Sequence, residues 1–166
     1  MRAELVSGSI VVAPSPTPAH QDIAGAIYAE YRGPFHRGRG GPGGWWLIGD
    51  VDVEFGPKDV FRPDIAGWRK ERVPSFPVTR PVTPVPDWVC EVLSPGSAAM
   101  DQGEKQRTYH TSGVRWYWVV DPHHRTITVL ERSDRAYVVE RTVGDRGLVG
   151  LPPFDALEID LADFFP

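Results

Sequence analysis

Two carboxylates lie in apolar segments of the chain, where an ionised side chain is costly to bury unless a cation compensates it. Glu91 lies within WVCEVL (88–93), and Asp64 lies within RPDIAGW (62–68). An aspartate and a glutamate on successive strands can converge on one hard cation. Mg²⁺ is typically held by one or two carboxylates, with water and substrate phosphate oxygens as the other ligands. The pair therefore predicts a magnesium site, in which Mn²⁺ could substitute.

Each carboxylate also has an ordinary structural explanation. A strand glutamate can face solvent under period-two alternation, and a Pro-Asp dipeptide more often marks a turn. Glu91 could also form only a buried ion pair with Lys105. Zinc is not indicated, because the chain has no cysteine and histidine spacing of a zinc site, and His123 and His124 follow a turn-like Asp-Pro pair.

A helix predicted near 102–112 carries a candidate cation for this site. Asp101 and Glu104 resemble a capping pair at its start, and Gly113 fits the position just after its end. Asp101, Lys105 and Tyr109 are spaced i, i+4 and i+8, so they share one helix face. The helix follows the strand of Glu91, and this face can therefore be directed back toward the carboxylates. A solvent-exposed i, i+4 salt pair is the alternative interpretation.

An earlier helix, predicted over 20–32, offers two weaker candidates. His20 follows a proline-rich turn at the helix start, where a capping role is common. Glu30 shares the helical spacing of Ile23 and Ile27 and is expected to point inward. Both are auxiliary candidates.

The remaining pattern predicts a mixed α/β domain. Strands or hairpins are predicted at 4–13, 46–55, 59–68, 88–93, 114–120, 126–131 and 136–142, and a last strand or short helix at 157–165. The turn of the first hairpin is predicted at Gly8-Ser9. The strand–helix–strand step over 88–120 implies a crossover and hence a parallel strand pair. The length of 166 residues suits one domain over 1–166.

The composition and the absence of two common motifs limit the classes of function that the chain can have. The net charge of −4 requires any basic surface to be local. The single cysteine favours a reducing cytoplasm, and no stretch approaches the roughly 18 apolar residues that span a membrane. The chain lacks the Gly-x-Ser-x-Gly elbow of serine hydrolases and the Gly-Lys-Ser/Thr ending of phosphate-binding loops.

The motif set resembles the Uma2 restriction endonuclease family of the PD-(D/E)XK nuclease superfamily. The resemblance covers most of the chain and rests on PD (63–64), VPDWVCEVLSP (85–95), the lysine and tyrosine of the second helix, and YWVVDP (117–122). The opening LVSGSIVV (5–12) is also similar to the family's N-terminal segment. The resemblance as a whole implies a restriction-endonuclease-like mixed β-sheet flanked by helices, with additional β-hairpins. It also implies that Asp64, Glu91 and Lys105 are the catalytic residues.

The chain departs from the superfamily pattern at two positions. Leu93 stands where the (D/E)XK motif has lysine, and Lys105 matches a lysine that the family moves to the following helix. Ser9 stands where members often have an acidic residue after the hairpin glycine. An auxiliary acidic ligand at that position is therefore missing.

These features predict a Mg²⁺-dependent endonuclease acting on DNA. The glycine-rich loop over 33–44, with Arg37 and Arg39, is predicted to be flexible, and Arg69 and Lys70 form a basic tip; both could hold phosphates. The alternative is a catalytically inactive nuclease-fold module for DNA binding or assembly. RNA as the substrate remains open, and a homodimer would suit double-strand cleavage.

Overall fold

A computed structural model describes residues 1–94 and 100–166, with residues 100 and 101 described by their backbone only. Its helices are α1 (Pro18–Tyr31) and α2 (Met100–Ser112), with a π-helical turn at Arg32–His36 and a 3₁₀ turn at Leu161–Asp163. The strands are β1 (Arg2–Val6), β2 (Ser9–Ala13), β3 (Trp45–Gly49), β4 (Val53–Gly56), β5 (Asp59–Phe61), β6 (Ile65–Arg69), β7 (Trp88–Val92), β8 (Trp116–Asp121), β9 (Thr126–Arg132), β10 (Tyr137–Val143), β11 (Leu148–Val149) and β12 (Ile159–Asp160).

The central element is a six-stranded mixed sheet in the order β10-β9-β8-β7-β6-β3. The β7 and β8 strands pair in parallel, with α2 between them in the chain, whereas the other neighbours pair antiparallel. The predicted crossover and parallel pair are thus confirmed. The predicted β9–β10 hairpin is confirmed as well.

A smaller sheet, in the order β2-β1-β5-β4, packs beside the central one. Its first hairpin turns at Ser7 and Gly8, whose φ angles of 49° and 82° lie in the left-handed region. The turn lies one residue earlier than the predicted Gly8-Ser9 pair.

The segments 46–55 and 59–68 are not single strands, as the sequence predicted. Each divides between the two sheets: β3 and β6 belong to the central sheet, and β4 and β5 to the smaller one. The chain bends at Asp50, whose φ is 53° and whose N–H donates to the carbonyl of Asp64 at 3.1 Å. Asp64 therefore lies at the corner where the chain returns to the central sheet.

Apolar side chains fill both faces of the central sheet. One cluster packs α1 and the C-terminal segment against the sheet, and a second packs the smaller sheet and α2 against its other face. Trp68, Trp88 and Trp118 are fully buried. Burying a large apolar side chain contributes about 1.5–3 kcal/mol, so these residues fix the strands that carry the site.

The first helix begins at Pro18, two residues before the predicted start at His20. The Thr17 side chain accepts from the backbone N–H of His20, and Pro18 occupies the first turn. The buried face comprises His20, Ile23, Ala24, Ile27 and Tyr31. Glu30 is exposed, and the expectation that it points inward is wrong, because the buried face continues to Tyr31 instead.

The glycine-rich loop after α1 is more ordered than the sequence predicted. It starts with the π-helical turn, and the N–H of Gly43 donates to the carbonyl of Pro34 at 2.9 Å. A Cβ at Gly41 would lie 2.5 Å from the Cβ of Pro34, so only glycine fits this close approach. The loop is packed against its own first turn.

The second helix ends at the predicted glycine. Gly113 has a φ of +93°, and the N–H of Val114 donates to the carbonyl of Tyr109. The predicted capping pair of Asp101 and Glu104 lies in part outside the described residues, because nothing describes the Asp101 side chain. Glu104 instead accepts from the Ser7 hydroxyl. In the described part of the chain, no helix is long and apolar enough to cross a membrane.

Candidate active site

Asp64 and Glu91 converge on one cavity. Ile65 pairs with Cys90 in the antiparallel β6–β7 ladder, so continuing this register places Asp64 opposite Glu91 on the same sheet face. Both side chains line a cavity of about 490 Å³ and are mostly buried, with 7% and 9% of each residue exposed. The strand that Asp64 immediately precedes, β6, and the strand that carries Glu91, β7, are neighbours in one sheet, as predicted.

Asp64 is held by three donors. His20 Nε2 lies 3.1 Å from its Oδ2, the Val92 N–H donates to Oδ2 at 2.8 Å, and Arg2 Nη1 donates to Oδ1 at 3.0 Å. Burial alone would raise the pKa of Asp64. The hydrogen bonds from His20 and Val92 and the charge of Arg2 outweigh burial, so this pKa lies below its ordinary value. Asp64 is therefore ionised and fixed in orientation at neutral pH.

Glu91 has a different environment. Tyr109 donates to its Oε1 at 2.5 Å, and Lys105 Nζ lies 3.3 Å from the same oxygen. Burial raises the pKa of Glu91, and the nearby negative charges of Asp64 and Glu4 raise it further, against the opposing effect of Lys105 and Tyr109. An added positive charge in the cavity would relieve this repulsion between carboxylates.

Lys105 connects the two sheets at the cavity wall. Its Nζ lies 2.9 Å from Glu4 Oε1 on β1 and 3.3 Å from Glu91 Oε1 on β7. Burial would lower the pKa of Lys105, but the charges of Glu91 and Glu4 outweigh burial and raise it. The ammonium is therefore retained inside the cavity at neutral pH.

The structure brings most of the predicted site residues together. Asp64, Glu91, Lys105 and His20 line the cavity, and Tyr109 contacts Glu91 from the buried face of α2. Glu30 does not join them, since it is exposed on the outer side of α1. The predicted auxiliary role of Asp101 concerns a side chain outside the described residues.

Arg2 and Glu4 are the site residues that the sequence interpretation missed. Both line the cavity from β1, where one contacts Asp64 and the other contacts Lys105. The missed signal is the period-two alternation of β1, which places both charged side chains on one face of the strand. Ser9 lies on the neighbouring strand β2 and is exposed, so Glu4 is the carboxylate that this hairpin supplies.

The predicted basic residues lie away from the cavity, and Arg69 and Lys70 pack over different rings, those of Trp45 and Trp46. The Lys70 ammonium donates to the carbonyl of His36 at 2.9 Å and lies 4.1 Å from the centre of a Trp46 ring. Arg37 and Arg39 are exposed on the adjoining loop. Lys70 follows Asp64 by six residues along β6, which corresponds to about 20 Å at ~3.3 Å per residue. The basic tip therefore lies at the other end of this strand.

The cavity residues fit a divalent cation of the magnesium type. Among the side chains of residues 1–94 and 102–166, no group of three or more histidine, cysteine, aspartate or glutamate residues is arranged to hold a metal ion. Asp64 and Glu91 supply two carboxylates to one cavity, which matches the sparse protein ligation of Mg²⁺ rather than the fuller oxygen cage of Ca²⁺.

Comparison with solved structures defines the fold. The chain is similar to a crystal structure described as a "putative nuclease belonging to DUF820" from Anabaena variabilis. The TM-score is 0.76 at 21% sequence identity, over 98% of this chain and 89% of that one. The two proteins therefore share a mixed α/β fold in which helices flank the sheets. No curated protein matches the chain.

Comparison with family models gives the family. Residues 1–162 match the model of the Uma2 family, described as "Putative restriction endonuclease". The chain belongs to this family, and the resemblance inferred from its motifs is confirmed.

Replacing Glu91 with glutamine is expected to leave the free energy of unfolding unchanged, or to raise it by about 1 kcal/mol, when chelator is present. The reason is that the substitution removes a buried charge, while Lys105 keeps Glu4 as its ionic partner. Urea unfolding of both proteins in chelator measures the difference. A loss of about 3 kcal/mol or more would contradict the expectation, because that is the effect of an uncompensated buried charge.

Proposed function

We propose that this protein is a Mg²⁺-dependent endonuclease that hydrolyses phosphodiester bonds in DNA, with Mn²⁺ able to replace Mg²⁺. The observation that carries the proposal is the pair of buried carboxylates, Asp64 and Glu91, facing one cavity with the Lys105 ammonium beside them. Membership of a restriction endonuclease family supports the same reaction class.

Asp64 and Glu91 would hold the cation. When bound, a divalent cation polarises the phosphate and lowers the pKa of a coordinated water. His20, Arg2 and the Val92 N–H fix the Asp64 carboxylate, and Tyr109 fixes one oxygen of Glu91. This fixed orientation reduces the reorganisation needed when substrate enters.

Lys105 would act on the substrate rather than on the cation. Its ammonium lies inside the cavity, where it can orient the attacking water or stabilise negative charge on the pentacovalent phosphorus. Leu93 also lines the cavity, at the position of the usual lysine, and cannot supply this charge. Lys105 would therefore replace the strand lysine in space.

The activity test uses purified protein and supercoiled plasmid with Mg²⁺, Mn²⁺ or chelator. Conversion to nicked or linear DNA that requires the metal supports the proposal. A parallel incubation with RNA determines the substrate class. An Asp64→Asn/Glu91→Gln double variant controls for contaminating nucleases.

The second candidate is a nuclease-fold module that binds DNA or assembles with partners without cleaving. The net charge of −4 and the serine at position 9 favour it. DNA binding with no cleavage under any metal condition would support this candidate over the endonuclease.

A homodimer would suit double-strand cleavage, and sedimentation velocity with and without DNA measures the oligomeric state. We place the protein in the cytoplasm, where its buried Cys90 stays reduced.

Alanine at both Arg37 and Arg39 is expected to weaken DNA binding and to reduce its dependence on salt. Each lost phosphate contact lowers the slope of log affinity against log salt by about 0.9 for duplex DNA. Both side chains are exposed, so the substitutions should leave stability unchanged. Fluorescence anisotropy over a salt series measures the slope.

The matched control for this test is Arg135→Ala, an exposed arginine in the turn between β9 and β10 at the opposite edge of the central sheet. Arg69→Ala/Lys70→Ala tests the adjoining tip, although Lys70 also supports the loop through His36. If neither double substitution changes the slope of log affinity against log salt, these residues are not the DNA contact.

A further inference from the structure

Glu4 is the cavity carboxylate to which the proposed mechanism gives no role. It projects from β1 of the smaller sheet and has only a small exposed fraction. Its Oε1 accepts from the Lys105 ammonium at 2.9 Å and from the backbone N–H of Arg62 at 2.7 Å. The second contact ties Glu4 to the segment that leads directly into Asp64.

The two partners of Lys105 are unequal. Its Nζ lies closer to Glu4 than to Glu91, at 2.9 Å against 3.3 Å. A lysine with Glu91 as its sole partner would neutralise the carboxylate that a cation needs and would repel that cation. Because the ammonium also pairs with Glu4, Lys105 can remain in the cavity without Glu91.

We propose that Glu4 is a positioning residue that holds the Lys105 ammonium beside the cavity and so leaves Glu91 available to a divalent cation. The inference rests on the proposed metal-dependent function. It assigns Glu4 to the lysine and not to the metal. A direct metal-ligand role for Glu4 is the competing explanation.

Calorimetric Mn²⁺ titration of four proteins separates these explanations: the wild type, Glu4→Gln, Lys105→Met and the double variant. Glutamine at position 4 keeps an acceptor for the Arg62 N–H and removes the charge. In the protein that keeps Lys105, Glu4→Gln should weaken Mn²⁺ binding. This loss of affinity should be about tenfold larger than the loss that Glu4→Gln causes in the Lys105→Met variant, a ratio equivalent to 1.4 kcal/mol. A ratio near one would overturn the proposal, because Glu4 would then act on the cation directly.

Glu104→Gln is the matched control. Glu104 precedes Lys105 on α2 and accepts from the Ser7 hydroxyl, so it joins the same hairpin to the same helix without contacting the lysine. This substitution removes an equal charge nearby. It should leave Mn²⁺ affinity within about twofold of the wild-type value, and an effect as large as that of Glu4→Gln would also overturn the proposal.

A metal-free measurement keeps the inference separate from the proposed function. Urea unfolding of the same four proteins in chelator measures the free energy of unfolding. The losses of this free energy in the two single variants should together exceed the loss in the double variant, because each single change removes the same contact. Additive losses would mean that Glu4 does not hold Lys105. If Lys105→Met does not fold, Lys105→Gln takes its place. Absence of Mn²⁺ binding in the wild type would contradict the proposed function, and the unfolding cycle would still decide the contact.

Discussion

Asp64→Asn is expected to abolish detectable Mn²⁺ binding and to lower the DNA cleavage rate by at least about a thousandfold. A bound cation contributes several kcal/mol to transition-state stabilisation, and each ~1.4 kcal/mol corresponds to tenfold in rate. Asp64 is the carboxylate whose pKa lies below its ordinary value, so it carries the negative charge that the cation requires. Asparagine keeps the size of the side chain and removes that charge.

The same substitution should destabilise the protein, in contrast to Glu91→Gln. Asp64 accepts from Arg2, His20 and the Val92 N–H, and asparagine removes the charge that these donors face. Arg2 then keeps only Asp50, whose side chain is mostly exposed, as an ionic partner. Circular dichroism and thermal unfolding must therefore accompany calorimetry and plasmid cleavage, so that activity is compared between folded proteins. Asp134→Asn, at an exposed carboxylate in the turn between β9 and β10, is the control. Wild-type Mn²⁺ affinity in folded Asp64→Asn would remove this residue from the metal site.

Local patterns in the sequence were sufficient to predict the central part of the fold. The apolar runs around Glu91 and at 114–120, with a helix between them, predicted the parallel β7–β8 pair, because a crossover of this length leaves few other arrangements. The glycine at 113 predicted the end of α2 for a local reason, since it adopts a left-handed backbone conformation.

The division of strands between the two sheets could not be predicted in the same way. The segments 46–55 and 59–68 keep an apolar alternation on both sides of the bend at Asp50, so periodicity alone shows no interruption. The bend depends on a contact between distant backbone groups, the Asp50 N–H and the Asp64 carbonyl. Long-range contacts of this kind leave no period in the sequence.

Local sequence patterns are limited in the same way as predictors of the site residues. Glu91, Lys105 and Tyr109 were predictable together because they lie within 18 residues of one another along a strand and the next helix. Glu4 is 101 residues from Lys105 in the chain, and only the packing of the smaller sheet against α2 brings the two together. Glu30 was assigned inward by spacing alone, whereas the direction of the buried helix face is set by tertiary packing.

Lys105→Met is expected to retain Mn²⁺ binding at least as tight as that of the wild type, because an ammonium is not a metal ligand. Cleavage should fall by about two orders of magnitude or more, the size of effect seen when a transition-state charge donor is removed. Methionine preserves bulk against Phe61, whose ring centre lies 5.7 Å from Lys105 Nζ. The loss should therefore reflect charge rather than packing, and Lys105→Ala should behave similarly.

Plasmid cleavage under saturating Mn²⁺ and calorimetry on the same preparations measure the two effects. Lys58→Met, at an exposed lysine in the turn between β4 and β5, is the matched control and should cleave at the wild-type rate. Because Lys105 contacts Glu91 and Glu4, its removal leaves two buried carboxylates without their cation, and added Mn²⁺ should restore part of the lost thermal stability. A rate equal to that of the wild type in both Lys105 variants would show that the ammonium has no role in the chemistry and serves only as a buried ion-pair partner.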